Sequence, residues 1–309
     1  MIRLVTCTSC GDEAVYFRPY SGERYCQRCY IHAIEKQVQR TISRYRMLKP
    51  NHTIALALSG GKDSVSLLHI LNKIEKDFSQ SKLVAVTIDE GIAGYRAEAI
   101  DIAKENCAHL QVEHHVFSFK KLYHYTLDEI VEAAKRKDKV FICKYCGILR
   151  RKALNIAARE VGATRLATAH NLDDEVQSMV MNLLRGDVAR LSIPTGDIQA
   201  SEGMVPRIKP FYDIPEKDVA LYAFFKKLRF QSFFCNYLDT SLRGDVRKFL
   251  NTIEEKHPGM KLITHRSFEK IQPFIPLQHE KEGTCILCGE PTTRETCMAC
   301  QILKDLDCI

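Results

Sequence analysis

The stretch ALALSGGKDSVSLLHIL, residues 55–71, admits few folds. A short apolar run meets Ser59-Gly60-Gly61-Lys62-Asp63-Ser64, and an apolar segment with helical spacing follows at once. The glycines let backbone N–H groups approach a phosphate. The N-terminus of the following helix favours negative charge, and Ser59, Lys62 and Ser64 add donors. The spacing of the ordinary P-loop, G-x-x-x-x-G-K-S/T, is absent. The loop is therefore a different kind of phosphate cradle, or else a serine–glycine turn that only caps its helix.

What surrounds this stretch alternates. Short strands are expected at 53–58, 83–89, 112–119 and 165–169, with helices near 64–76, 95–109, 124–136, 147–160 and 173–185. Strands alternating with helices imply an α/β fold whose parallel sheet is covered on both faces. Ligands in such folds sit at the carboxyl ends of the strands. The chain then reads as loop-rich from Pro194 to Pro215, before a helical region containing LYAFFKKLRF.

Thirteen cysteines in 309 residues are too many to ignore. No apolar run approaches the roughly 18 residues of a membrane span, and the start MIRLVTCTSC lacks a signal peptide's apolar core. A soluble, intracellular protein is expected, where clustered thiols mean metal or catalysis rather than disulfides. Cys7-x2-Cys10 and Cys26-x2-Cys29, fifteen residues apart, have zinc-ribbon spacing. Cys285-x2-Cys288 and Cys297-x2-Cys300 repeat the device over a shorter loop. Each set can hold one tetrahedral ion, which supplies folding energy that so short a segment lacks. A zinc on four thiolates carries a net −2, so two sites would bring the formal +7 down to about +3. Net charge is then weak support for a nucleic-acid partner, and any basic surface must be local. One candidate is a helix over about 31–48, whose Lys36, Arg40, Arg44 and Arg46 form either a solvated face or an RNA-facing strip.

Polar residues gather where the strands end. In IDEG, Ile88 can offer backbone groups to a base, and Asp89 is either a Mg²⁺ ligand or a turn carboxylate. In TAHNLDDE, His170, Asn171, Asp173 and Asp174 face the ligand crevice, unless a carboxylate there caps the helix starting near Leu172. Cys107 lies on an apolar helical face and reads as core, and Cys308 as a surface thiol. That leaves Cys143 and Cys146, in CKYC, and the distant Cys235. Three thiolates cannot complete a structural zinc site. They can hold an iron–sulfur cluster with one iron open, form a persulfide pair that hands on sulfur, or form a disulfide.

The SGGKDS loop resembles that of the ATP-pyrophosphatase, or PP-loop, superfamily, whose members cleave ATP between the α- and β-phosphates and adenylate a carbonyl oxygen. With CxxCGxxRR, HNxDDE, a later lone cysteine and a ribbon at each end, nearly the whole chain resembles the tRNA 2-thiouridine synthetases of the TtuA/NcsA type. The resemblance implies a PP-loop (adenine nucleotide alpha hydrolase-like) domain over 51–272. A ribbon over 1–30, a linking helix over 31–50 and a second ribbon over 273–309 would complete the chain. It implies ATP and Mg²⁺ held by Ala57, Ser59, Gly60, Gly61, Lys62, Asp63, Ser64, Ile88, Asp89, Arg150, Ala169, His170 and Asp174. It implies a 4Fe–4S cluster on Cys143, Cys146 and Cys235, two zinc ions on the ribbon cysteines, and catalysis assisted by Arg150 and Asp174. Cytoplasmic tRNA is the implied substrate, with sulfur from a ubiquitin-like carrier protein or free sulfide, and a homodimer is one arrangement. Ala169 stands where these enzymes often carry glycine. CGILRRKALN and MNLLRGDVARL resemble the enzymes that modify the wobble uridine more than those that modify the T-loop.

Overall fold

The computed structural model describes residues 5–78, 80–138, 141–192, 203–237, 242–276 and 283–309. The N-terminal hairpin is β1 (Tyr16–Arg18) and β2 (Glu23–Tyr25), followed by α1 (Gln27–Arg44). The central elements are β3 (Thr53–Ala57), α2 (Lys62–Glu75), β4 (Lys82–Asp89), α3 (Arg96–Leu110), β5 (Glu113–Ser118), α4 (Phe119–Tyr123), α5 (Leu127–Arg136), α6 (Ile142–Glu160), β6 (Arg165–Ala167), α7 (Leu172–Leu184), α8 (Val188–Leu191) and β7 (Arg207–Ile208). Beyond them lie α9 (Glu216–Phe225), α10 (Leu242–Lys256) and α11 (Met260–Ile271), then β8 (Gly283–Thr284), β9 (Pro291–Thr292) and α12 (Met298–Asp305).

The five central strands form one parallel sheet in the order β5-β4-β3-β6-β7. In β4 the six residues from Leu83 to Ile88 are all buried, as expected of a strand covered on both faces. Side chains alternate between two cores. Ala55, Val86, Ile88 and Leu166 face α6 and α12, whereas Ile54, Leu56, Ala85 and Ala167 face α1, α2 and α9. Each ribbon thus attaches through its own helix, α1 on one face of the sheet and α12 on the other. Among the described residues no helix is long and apolar enough to cross a membrane. The expected loop-rich stretch from Pro194 lies partly outside the described residues, and β7, inside that stretch, was not expected.

The first ribbon docks on α9 through a buried ion pair. Arg18 lies beneath Tyr20, Tyr25 and Tyr30, 5.0–5.4 Å from each ring centre, and its Nη2 is 3.4 Å from Asp218 Oδ2. Tyr20 and Tyr30 donate their hydroxyls to the same carboxylate. Tyr30, with no exposed surface, packs edge-on against Tyr16, Tyr25 and Phe225. α1 is less free than a solvated basic strip would be, because Arg44 lies 3.3 Å from Glu269 and 3.7 Å from Asp213.

Removing one partner of a buried pair strands the other charge, at about 3–5 kcal/mol. Asp218→Ala is therefore expected to lower the unfolding free energy by roughly that amount. Denaturant unfolding checks this, and a loss below about 1 kcal/mol would mean that Arg18 does not depend on Asp218.

Candidate functional site

Strand order reverses between β3 and β6, so the loops after these strands leave a crevice between them. The loop after β3 is SGGKDS. Gly60 has φ +85°, and a Cβ there would fall 2.5 Å from the Ala99 carbonyl oxygen, so only glycine fits. Gly61 precedes α2 without a side-chain cap, leaving the first N–H groups of that helix open to an anion. The Ser59 and Ser64 hydroxyls lie 3.0 Å apart. Lys62 Nζ donates to Asp63 at 2.8 Å and to Glu216 at 2.9 Å. Asp63 Oδ1 is buried without a partner among the described residues, and burial raises the carboxyl's pKa against the pull of Lys62. A cavity of about 640 Å³ adjoins Lys62 between the first ribbon, α9 and α11, but most of the predicted residues lie elsewhere, along the crevice.

After β6 come Ala169 and His170, whose Nδ1 is 2.9 Å from the Thr168 hydroxyl. The N-cap of α7 is Asn171, not a carboxylate. Its side chain accepts from the Asp174 N–H, and Asp174 Oδ2 accepts from the Asn171 N–H, each at 3.2 Å. Asp174 Oδ1 lies 3.7 Å from Arg243 Nη1. Asp173 is turned away, buried against Lys261 and accepting the Glu216 N–H at 2.8 Å.

Strand alternation divides IDEG. Ile88 and Glu90 line a small cavity with Ala57, Ser59, Arg96 and Arg150, whereas Asp89 lines a separate, open cleft against α3. Asp89 Oδ1 accepts the Gly91 N–H at 2.9 Å. The turn-carboxylate role is thus the one the structure displays for Asp89. Glu90, not singled out in the sequence, lies between two guanidinium groups, 2.7 Å from Arg96 Nε and 2.6 Å from Arg150 Nε.

α6 begins at Ile142, five residues before the expected start, so Cys143 and Cys146 lie within its first two turns and on one face. The Cys143 thiol donates to the Tyr237 carbonyl at 3.4 Å, which brings the Cys235 segment to that helix end. Arg150 Nη2 donates to Cys146 Sγ at 3.2 Å. Burial pushes the Cys146 thiol pKa up, and Arg150 opposes it. The Cys235 segment is also tied to the nucleotide loop, since the Gln231 N–H donates to the Gly60 carbonyl at 2.8 Å. Asp128 links the segment to the turn after β4, accepting from Tyr237 at 2.7 Å and from the Ala93 N–H at 2.9 Å. The interior sulfurs form no set of three within 4.8 Å of one another, unlike each ribbon set. Thiolates that bind different irons need not close around one ion.

The two ribbon sets, Cys7, Cys10, Cys26, Cys29 and Cys285, Cys288, Cys297, Cys300, each bring four sulfurs within 4.8 Å. In both, the third cysteine caps the helix that follows: Cys26 accepts from the Cys29 N–H and Cys297 from the Cys300 N–H. Burial opposes ionisation of Cys7 and Cys285, yet N–H groups directed at their sulfurs bring both pKa values down to about 6. Lys152, on α6, places Nζ 3.0 Å from Cys288 Sγ. An ammonium there offsets negative charge on the second ribbon. Cys308 is buried, contrary to the surface expected of it.

A PP-loop domain model matches residues 32–253. The chain is 36% identical to cytoplasmic tRNA 2-thiolation protein 1 of Drosophila yakuba, over 98% of this chain and 88% of that one. It is 34% identical to the Xenopus laevis protein of the same name, over 98% and 89%. Among solved structures, it superposes on the U34-tRNA thiolase NcsA from Methanococcus maripaludis, determined with its 4Fe–4S cluster. The TM-score is 0.86 and the identity 35%, covering 99% of this chain and 97% of that one.

The two preformed thiol sets predict two zinc ions per chain by elemental analysis. Cys26→Ser is expected to remove one and leave the second ribbon loaded. A single zinc in the unaltered protein, or loss of both in the variant, would contradict independent ribbon sites.

Proposed function

This chain belongs to the tRNA 2-thiolation family of PP-loop proteins, and from that premise we propose that it is an ATP-dependent tRNA uridine 2-sulfurtransferase acting at the wobble uridine, U34. The observation that carries the reading is one side chain. Arg150 joins Cys146 to the cavity beside the nucleotide loop, so the groups for activating an oxygen and for replacing it with sulfur are adjacent.

ATP lies with its phosphates on the N–H groups of Gly61 and the first turn of α2, near Ser59, Lys62 and Ser64, and its base toward Ala57 and Ile88. The uridine O2 attacks the α-phosphorus. The O2–Pα bond forms, the bond to the β-phosphate oxygen breaks, and pyrophosphate leaves on the Lys62 side. Lys62 must release Asp63 or Glu216 to follow that charge. A sulfur nucleophile then adds at C2, and AMP departs with the original oxygen. Arg150 and the loop N–H groups stabilise charge developing on the phosphates, the usual large electrostatic contribution. Asp174 and Asp63, whose Oδ1 has no partner among the described residues, would hold a Mg²⁺ ion, which would offset phosphate charge, whereas Asp89 is occupied by the Gly91 N–H.

Cys143, Cys146 and Cys235 would hold a 4Fe–4S cluster, which supplies an iron without a protein ligand where sulfide can sit. Sulfide comes free or from a thiocarboxylated ubiquitin-like carrier. The ribbons hold zinc and stiffen the two ends of the tRNA-binding surface in the cytoplasm. Arg151 and Arg207 support a phosphate contact beside the crevice. Burial and neighbouring arginines lower both pKa values, and no carboxylate pairs with either among the described residues. Phe233 and Phe234, 70% and 77% exposed beside Cys235, suit stacking of an extruded base.

Anoxic assay of U34 thiolation tests this reading. Cys143→Ser, Cys146→Ser and Cys235→Ser are each expected to lose iron and at least about 100-fold in rate while keeping both zinc ions. A Cys235→Ser protein with full iron and full rate would overturn the three-cysteine site. Sulfur appearing in the T-loop with U34 unmodified would overturn the position.

A further inference from the structure

We propose that Glu90 is a positioning residue that couples the nucleotide loop to the interior thiol site, an inference that rests on the functional reading above. The Glu90 side chain is 2% exposed and, one residue past the end of β4, lines the same small cavity as Ile88. A carboxylate so buried must be paired. Each of its oxygens lies against a different arginine: Oε2 is 2.7 Å from Arg96 Nε, a charge contact without hydrogen-bond alignment, and Oε1 is 2.6 Å from Arg150 Nε.

Those arginines face opposite ways. Arg96, itself buried, donates Nη2 to the Ile88 carbonyl at 2.6 Å and Nη1 to the Ser59 carbonyl at 3.2 Å. It therefore clasps the end of β4 to the first residue of the phosphate loop. Arg150 donates Nη2 to Cys146 Sγ at 3.2 Å, and its side chain is 44% exposed. From the loop to the thiol, the contacts run Ser59, Arg96, Glu90, Arg150, Cys146 without a break. A phosphate that shifts the Ser59 backbone must disturb Arg96, and Glu90 transmits this to the guanidinium on Cys146. A change at the thiol travels the same way in reverse, because coupling between two binding equilibria is reciprocal.

The variant Glu90→Gln separates coupling from mere packing. It keeps the length of the side chain but replaces one acceptor oxygen by an amide that can only donate. One arginine must then lose its partner. Arg96 is locked by two carbonyls, so the half-exposed Arg150 is the one released. An N–H bond to a cluster-ligand sulfur also tunes the reduction potential, which gives a readout independent of turnover.

The experiment measures affinity for a non-hydrolysable ATP analogue in anoxic full-length protein, with and without iron. In the unaltered protein, iron loading is expected to change the affinity by about 5-fold or more, the lower end of ordinary allosteric coupling. Occupancy by the analogue should also shift the cluster's midpoint potential. In Glu90→Gln, with iron content and both zinc ions retained, the affinity ratio should fall to within about 2-fold of unity, and the nucleotide-dependent shift should vanish. If that variant does not fold, Arg150→Lys decides, since an ammonium keeps the charge but lacks the fork that spans Glu90 and Cys146. Equal ratios in the unaltered and variant proteins, or a ratio of one in the unaltered protein, would overturn the coupling. A protein that binds no nucleotide or no iron would instead overturn the functional reading beneath it.

Discussion

Connections from β3 and β6 leave the sheet in opposite directions, and neither loop can cover the space between the two strands. A parallel sheet offers few other places where backbone N–H groups and polar side chains can converge on one ligand. The Gly60 turn and the Asn171–Asp174 capping box occupy the two sides of that crevice. Packing enforces the first, since no side chain larger than hydrogen fits against the Ala99 carbonyl. α6, which carries two of the thiols, packs on one face of the sheet across β4 and β6, so the distance from nucleotide to sulfur is set by how α6 lies against those strands.

Charge decides much of what surrounds the crevice. A zinc on four thiolates would carry a net −2, and the protein places a cation near each four-cysteine set: Arg28 by the first ribbon and Lys152 by the second. Arg151 and Arg207 have no carboxylate partner among the described residues, and their mutual repulsion suits a polyanion. Three arginines elsewhere are neutralised by carboxylates. Arg18 is held by Asp218, Arg44 by Glu269, and Arg96 by Glu90. Local arrangement, more than the overall balance of charge, directs the chain toward RNA.

What could be read from the sequence was local in the chain. The strand–loop–helix of residues 53–75 and both four-cysteine sets depend on spacings within a few dozen residues, and backbone geometry makes them explicit. What could not be read depends on contacts between distant segments. Glu90 stood one residue from Asp89 in IDEG, yet only the pleat of β4 shows that the two face different cavities. Arg96 and Lys152 look like ordinary surface charges until their partners, 6 and 136 or more residues away, are in place. The two-residue β7 carries too little pattern to be recognised alone, and no side-chain cap marks the start of α6 at Ile142.

Activation of the uridine oxygen by ATP is the step that requires nucleotide loop and thiols to share one crevice. It is tested most directly by following that oxygen. With tRNA carrying oxygen-18 at O2 of U34, a single turnover of the iron-loaded protein under anoxia should release AMP bearing the label in its phosphate, in a one-to-one ratio with the thiolated uridine formed. Thiolated tRNA accompanied by unlabelled AMP would contradict adenylation at O2.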